Sequence, residues 1–298
     1  MSWRYEFPLV GGGGEPIDLW RMFVSHGITE LPPMAVDEDA KSFEITLRLS
    51  RGARTIRVAP GGPGYGIATV AGGVPGPRAA AEIVDKVRYV LRLDEDLSGF
   101  YAKAADDPDL AWVGAGAGRM VRSATVFEEV IKTICTTNCA WSATRRMVGA
   151  LVDHLGEKAQ GSERHAWPTP EAMAARPERF YVDTVRAGYR ARYLRDLARN
   201  VADGSLDLES WDDLPDADYA ERLLALPGIG PYAVAHILLL RGRYSRLIFD
   251  SWTRPKYARL RGRRSKDPTI ERRFRRYGEH AGLAFWLYIT RDWVSEPP

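Results

Sequence analysis

The sequence predicts a mainly α protein, α+β overall, with a small antiparallel α+β domain at residues 1–95 and a helical domain at 96–298. Apolar and polar residues alternate strictly over 43–49, as in a strand with one buried face. From residue 93 onward, apolar residues recur at helical spacing instead. A turn of two glycines and two prolines at 226–231 separates two of the predicted helices, which indicates a helix-hairpin-helix at 218–241.

Composition limits the class of protein. The chain has 298 residues, 45% hydrophobic and 27% charged, which is ordinary for a soluble globular protein with two or three domains. No apolar run approaches the roughly 18 residues of a membrane span, and the first residues lack a signal-peptide pattern. We therefore expect a cytoplasmic protein without a membrane partner. Cys135 and Cys139 are too few for a disulfide framework or a four-cysteine iron–sulfur cluster, and we interpret them as structural thiols.

The N-terminal 95 residues carry no sign of chemistry. Residues 1–16 predict an irregular arm, and 17–26 an amphipathic helix. Strands are predicted at 43–49, 55–58 and 65–70 with glycine-rich turns between them, and a helix at 79–91 follows.

A long apolar-periodic segment at 125–155 begins the main helical part, and Gly156 ends it as a C-terminal cap does. Small polar residues at 135–139 interrupt its pattern, which predicts a turn between two helices with Asn138 as the cap. Trp141 follows this turn, and a buried core position is the commoner place for a tryptophan.

The hairpin has the features of a phosphate-binding site. Two glycines within three residues let the backbone turn tightly and approach a ligand closely. Pro231 suits the first turn of the second helix, whose free amides and positive dipole end attract phosphate. No Walker lysine follows, so a polymeric phosphate backbone is a better ligand than a mononucleotide. The hairpin residues expected to contact this phosphate backbone are Gly228, Ile229, Gly230 and Tyr232.

The charge is unevenly distributed, although the net charge is only +3. Residues 201–221 hold eight acids and no base, whereas residues 241–276 hold twelve Arg and two Lys against three acids. A basic stretch directly after a phosphate-binding hairpin indicates an electrostatic footprint for nucleic acid. We expect Arg254 to contact the nucleic acid, and binding to weaken steeply with salt.

The hairpin and the aspartate twenty residues after Gly230 together resemble the helix-hairpin-helix (HhH-GPD) superfamily of DNA glycosylases. That aspartate is Asp250, in the loop 247–253. The segments Cys-Thr-Thr-Asn-Cys at 135–139 and Gly-Tyr-Arg-Ala-Arg-Tyr at 188–193 resemble 8-oxoguanine DNA glycosylases. The layout of residues 1–95 resembles the N-terminal domain of those enzymes and of 3-methyladenine DNA glycosylase II. The resemblance implies a helical core of two subdomains.

The resemblance also implies a chemistry. A base inside a duplex must be flipped into a pocket before it can be attacked. Asn138 would then enter the space left in the duplex, Arg145 or Arg146 would add a backbone contact, and Asp250 would stabilise the oxocarbenium-like sugar. By its position alone, Asp250 equally suits the cap of a helix starting at Ser251, and the two roles are compatible.

Tyr232 stands where bifunctional members of the superfamily carry the lysine that forms a Schiff base. Tyrosine cannot form that imine, and the only nearby amine, Lys256, has no precedent there. We therefore predict a monofunctional DNA glycosylase, a monomer, that removes an alkylated or oxidised purine from double-stranded DNA. Aromatic stacking suits a cationic base, and the predicted base pocket contains Trp141, Trp252, Tyr232 and Trp286.

Two alternatives stay open: a bifunctional glycosylase and lyase for 8-oxoguanine, and a non-catalytic DNA-binding module. No cofactor is required for the predicted hydrolysis. The resemblance implies a monovalent cation, Na⁺ or K⁺, held at the hairpin by the backbone carbonyls of Leu226, Gly228 and Ile229.

Overall fold

A computed structural model describes residues 3–294 of the chain. The N-terminal part contains a five-stranded antiparallel sheet in the order β1-β5-β4-β3-β2. Its strands are β1 (Arg4–Pro8), β2 (Met34–Asp37), β3 (Ser42–Arg48), β4 (Ala53–Pro60) and β5 (Tyr65–Val70). The three predicted strands correspond to β3, β4 and β5, because their alternating apolar residues face the core.

The irregular arm predicted at 1–16 is wrong for residues 4–8, which form β1 and pair with β5, with Glu6 opposite Ile67. Residues 1 and 2 of that arm lie outside the described residues. Only Phe7 of this edge strand is fully buried, so the alternation that identifies a half-buried strand is too weak to see in the sequence.

Two helices accompany the sheet. The first, α1 (Leu19–Phe23), is shorter than the predicted 17–26. The carboxylate of Asp18 caps its start by accepting the Arg21 N–H at 2.9 Å, and a separate 3₁₀ turn at Gly27–Glu30 follows. The second, α2 (Pro77–Leu91), buries Ile83, Val87 and Leu91.

Helices make up the rest of the chain. They are α3 (Ser98–Ala104), α4 (Val126–Thr136), α5 (Trp141–Leu155), α6 (Pro170–Ala174), α7 (Arg190–Ala202), α8 (Asp216–Leu224), α9 (Pro231–Leu240), α10 (Thr253–Arg261), α11 (Asp267–Phe274) and α12 (Ala281–Thr290). The mainly helical α+β fold predicted from the sequence is confirmed. The helix-hairpin-helix consists of α8, α9 and the turn between them.

Two large apolar cores hold the described residues together, and three buried alanines form a third, small cluster. One takes its residues from 7–93 and adds Val121. The other takes its residues from 97–289 and adds Ile28 and Leu31. Residues 233–240 of α9 and all of α12 are buried. The second hairpin helix, α9, is therefore apolar and fixed inside the larger core. Only its first turn faces the surroundings.

The described helices include none that is both long enough and apolar enough to cross a bilayer. Within residues 3–294, no three His, Cys, Asp or Glu side chains are grouped as they would be around a metal ion.

Candidate active site

A cleft of about 1640 Å³ is lined by both parts of the molecule. The N-terminal part contributes residues from α1 to β2, including His26 and Gly27. The helical part contributes the turn between α4 and α5, the hairpin, the loop before α10, and Trp286 of α12. The predicted site residues that line this cleft are Asn138, Trp141, Arg145, Gly228, Gly230, Tyr232, Asp250, Trp252 and Trp286.

Asp250 lies at the edge of the cleft and caps α10. Its Oδ1 accepts the N–H groups of Trp252 at 2.8 Å and Thr253 at 2.6 Å. The Thr253 hydroxyl oxygen in turn accepts the Asp250 N–H at 2.9 Å, which completes a reciprocal capping arrangement. The cap anticipated from the sequence is present, although α10 begins at Thr253 rather than Ser251. Because capping uses Oδ1 alone, Oδ2 has no partner among the described residues and remains available to a ligand.

The two hairpin glycines have different backbone conformations. Gly228 has φ +89°, and a Cβ there would lie 2.8 Å from the ring of Tyr193. Gly230 has φ −112°, and a Cβ there would meet nothing within 4 Å. Gly228 therefore makes the turn possible, whereas Gly230 leaves open space in front of the amides at the start of α9.

The hairpin carbonyls are oxygen donors of the kind that Na⁺ and K⁺ bind. The Leu226 carbonyl accepts the Ile229 N–H at 3.1 Å and closes the turn. Within residues 3–294, the carbonyls of Gly228 and Ile229 accept no hydrogen bond. This donor set is compatible with the cation implied by the resemblance, which stays a prediction.

Aromatic rings form one wall of the cleft. Trp252 is 38% exposed, and its ring centroid lies 6.0 Å from Trp286 and 5.6 Å from Trp293. Trp286 is buried, and its indole N–H donates to the Ser25 carbonyl at 2.8 Å. Tyr232 is half-buried at the start of α9, and burial raises the pKa of its hydroxyl. The structure brings these three predicted pocket residues together and adds Trp293.

Two buried histidines also line the cleft. His236 packs with its ring 5.8 Å from Tyr232 and 6.4 Å from Trp286. Neither ring nitrogen of His236 has a hydrogen-bond partner among the described residues. His26 Nε2 lies 2.6 Å from the Val121 carbonyl, whereas its Nδ1 has no such partner. Burial lowers the pKa of His236 to about 4 and that of His26 to about 3.

The turn between α4 and α5 forms another edge of the cleft. Asn138 is exposed with φ +47°, and its amide donates to the Tyr189 hydroxyl at 3.4 Å. It lies within the turn, and α5 is preceded by Ala140 rather than capped by Asn138. Trp141 is 38% exposed and packs across Gly27, so it is not a core residue. Arg145 is exposed on the next turn of α5.

Arg254, a predicted DNA contact, and Lys256, the nearby amine, already form ion pairs with carboxylates. Arg254 lies outside the cleft, and its guanidinium donates to both carboxylate oxygens of Asp267 at 2.9 and 2.8 Å. Lys256 donates to Asp292 at 2.7 Å. DNA contact by Arg254 stays a prediction, and it would require this ion pair to be shared with a phosphate.

The basic stretch 241–276 is a weaker footprint than its sequence predicts. Arg241 pairs with Asp212 and Arg243 pairs with Asp216, so the basic and acidic stretches contact each other. Arg273 and Arg276 also pair with carboxylates. The exposed cations of this stretch without an ion pair inside residues 3–294 are Arg246, Arg259, Arg261, Arg263, Arg264, Lys266, Arg272 and Arg275.

Sequence reasoning did not identify His26, Tyr189, His236 or Trp293 as site residues. His236 follows Tyr232 by one helical turn, so a helical projection of α9 would have placed both side chains on one face. No comparable local signal exists for His26 and Trp293, because they reach the cleft only through the tertiary fold.

No protein-family model matches the chain. It is 30% identical over 163 residues to the probable bifunctional transcriptional activator and DNA repair enzyme AlkA of Mycobacterium tuberculosis, over 53% of this chain and 32% of that protein. It is 26% identical over 166 residues to the N-glycosylase/DNA lyase of Saccharomyces cerevisiae, over 51% of this chain and 44% of that protein. The chain thus spans less than half the length of these relatives.

Similarity to solved structures covers nearly the whole chain. The structure of MBOgg1 with a low-affinity DNA ligand has a TM-score of 0.76 at 19% identity, over 97% of this chain and 96% of that one. The 3-methyladenine DNA glycosylase of Archaeoglobus fulgidus has a TM-score of 0.74 at 18% identity, over 98% and 99%. At such low identity, these similarities establish the fold.

Proposed function

We propose, from the premise that the chain has the helix-hairpin-helix DNA glycosylase fold, that it is a DNA repair glycosylase. It hydrolyses the N-glycosidic bond of a damaged purine that has been flipped out of duplex DNA. One observation carries this proposal: Asp250 presents a carboxylate oxygen that has no partner within residues 3–294, at the edge of a cleft with an aromatic wall. A DNA-binding module that only grips phosphates has no use for that arrangement.

The parts of the site have separate tasks. The amides at the start of α9 bind a backbone phosphate, and the open space at Gly230 lets it approach. Asn138 and Tyr189, which are exposed and in contact, occupy the space left in the duplex. The Asp250 carboxylate stabilises positive charge that develops on the sugar and orients the attacking water.

The pocket suits a damaged purine. The rings of Tyr232, Trp252 and Trp286 offer faces on which a planar base can stack. A base that carries positive charge gains a further cation–π attraction. Alkylated purines are therefore the substrates that this wall favours, with oxidised purines as the second class. A monovalent cation held by the hairpin carbonyls would fix the phosphate-binding turn.

We propose that the enzyme is monofunctional. Tyr232 provides no amine at the position of the Schiff-base lysine, and Lys256 is paired with Asp292 and lies outside the cleft-lining residues. The S. cerevisiae relative is named a lyase, so the test must distinguish the two activities. Strand cleavage without alkali that disappears in Lys256→Ala would replace this proposal with the bifunctional one.

The test is single-turnover excision from duplexes containing 7-methylguanine, 3-methyladenine, hypoxanthine or 8-oxoguanine, with and without alkali. Asp250→Asn should reduce the rate by about 10² or more. The variant should remain folded and bind DNA, because an amide oxygen can still cap α10. Glu271→Gln, an exposed acid on α11, is the matched control and should keep full activity. Tight DNA binding by the wild type with no excision from any duplex would favour the non-catalytic module.

A further inference from the structure

His236 is a polar side chain in a place where an apolar one would be easier to accommodate. It is 7% exposed, lines the cleft, and has neither ring nitrogen hydrogen-bonded within residues 3–294. Buried polar groups in proteins are normally paired, and an unpaired one lowers stability. A ligand that enters the cleft can supply the missing hydrogen-bond partner.

Packing holds the His236 ring in place. Tyr232 stacks against it at an interplanar angle of 24°, and Trp286 meets it edge-on at 75°. The imidazole is therefore oriented before a base enters, and its hydrogen bond costs little ordering. At neutral pH the ring is uncharged because burial lowers its pKa to about 4. An uncharged ring presents one N–H and one lone pair, and it does not repel a cationic base.

His26 adds a second polar group from the other part of the molecule. Its Nε2 donates to the Val121 carbonyl, because a carbonyl can only accept. The Nδ1 of the neutral ring is therefore an acceptor, and within residues 3–294 it has no donor. His26 and His236 line the same cleft and are close enough to interact electrostatically.

We propose that His236 is a specificity-determining residue, whose ring hydrogen-bonds to the polar edge of the flipped base while His26 Nδ1 accepts a base N–H. The inference rests on the proposed function and refines its substrate class. Stacking against the aromatic wall would admit any planar base, whereas the two imidazoles favour a base whose inserted edge carries an N–H group. A base without matching groups leaves the imidazoles buried and unpaired, and is rejected.

The experiment compares wild type, His236→Phe, His236→Gln and the control His280→Phe. Phenylalanine keeps a stacking ring but removes both nitrogens, and glutamine restores a donor and an acceptor. His280 also stacks between two aromatic rings, Phe100 and Tyr244, but it lies away from the cleft. Single-turnover rates are measured on the duplexes with 7-methylguanine, 3-methyladenine, hypoxanthine and 8-oxoguanine, and thermal unfolding is measured on each variant.

We expect His236→Phe to change the ratio of rates between the best and the poorest base by about tenfold or more. Its melting temperature should be unchanged or higher, and His236→Gln should recover part of the preference. His280→Phe should leave the ratios unchanged. If the ratios of the excision rates stay the same in His236→Phe, even when every rate changes by one common factor, the inference is wrong. An inactive wild type would instead contradict the proposed function itself.

Discussion

At the scale of single residues, the hairpin separates two uses of glycine. Gly228 has a left-handed backbone with φ +89°, and a Cβ there would lie 2.8 Å from the Tyr193 ring. Its small size is therefore needed for folding. Gly230 has an extended backbone that any residue can adopt, and a Cβ there would meet no atom of residues 3–294 within 4 Å apart from its chain neighbours. Its small size is therefore needed only when a ligand approaches.

Alanine substitutions should separate these two uses. Gly228→Ala should lower the free energy of unfolding by about 2 kcal/mol, because a left-handed L-residue is strained and its Cβ would press on Tyr193. Gly230→Ala should keep or slightly raise stability but weaken DNA binding, because its methyl group occupies the space that the phosphate enters. Denaturant unfolding and a DNA-binding titration on both variants check this. Equal losses of stability would show that Gly230 is also a folding requirement.

Residue identity could be predicted from the sequence where the signal is local. The two hairpin glycines, Pro231 and Asp250 lie within one short stretch. The roles of the glycines and Pro231 follow from the backbone geometry of the turn, whereas the function of Asp250 does not. The proximity of His26 and His236 in one cleft could not be predicted. These residues are 210 positions apart in the chain, and only packing of the N-terminal part against α9 and α12 brings them to one cleft.

At the scale of elements, Asp250 both caps the start of α10 and lines the candidate active site. Thr253 is fully buried, and its hydroxyl oxygen fixes the Asp250 N–H while the Asp250 carboxylate fixes the Thr253 N–H. The side-chain torsion of Asp250 is thereby set by the helix terminus. The same arrangement leaves Oδ2, which takes no part in the cap, available at the cleft.

Removing the threonine side of this cap should affect turnover more than binding. Thr253→Ala should cost about 1 kcal/mol of stability and reduce the excision rate about tenfold, because the carboxylate loses its fixed position. DNA affinity should be unchanged, since Thr253 does not line the cleft. Thr253→Ser keeps the hydroxyl and is the matched variant. Rates and affinities that fall together in Thr253→Ala, or a serine variant as slow as alanine, would contradict a positioning role.

Element prediction succeeded where one face of an element is buried. Burial largely alternates along β4 and β5, the alternating apolar residues 43, 45 and 47 of β3 are all buried, and the hairpin helices have strong turn signals. Edge strand β1 has a single fully buried residue and was missed. The helix predicted at 17–26 was too long, because the chain leaves helical geometry after Phe23 to bring His26 and Gly27 toward the cleft.

At the scale of the whole molecule, charge segregation along the chain is partly cancelled by folding. The arginines at 241 and 243 reach back to carboxylates at 212 and 216, which lie in the acidic stretch. Linear sequence cannot show such pairs, because they depend on α8 and α9 folding back on each other. The proposed DNA footprint then rests mainly on the cations at 259–275 that have no ion pair within residues 3–294, and the salt dependence of binding should reflect these fewer contacts.

The two buried histidines make the stability of the whole molecule depend on pH. Burial lowers the pKa of His236 to about 4 and of His26 to about 3, and the charges of His236 and Lys132 further disfavour protonation of His26. Asp250 acts in the opposite direction on His236. In the unfolded chain both histidines have pKa values near 6.5. Below pH 6.5 the unfolded state therefore binds protons that the folded state excludes, and stability falls as the pH falls.

By pH 5 this linkage should cost about 2 kcal/mol for each histidine, relative to pH 7.5. Burial raises the pKa of Glu129, so its protonation in the folded state should offset part of the loss at the acidic end. We expect His236→Phe to remove about half of the loss between pH 7.5 and 5, because one of the two excluded protons no longer exists. Denaturant unfolding across this range measures it. His154→Gln, at an exposed position, should keep the full dependence, and an unchanged dependence in His236→Phe would mean that folding does not lower the pKa of His236.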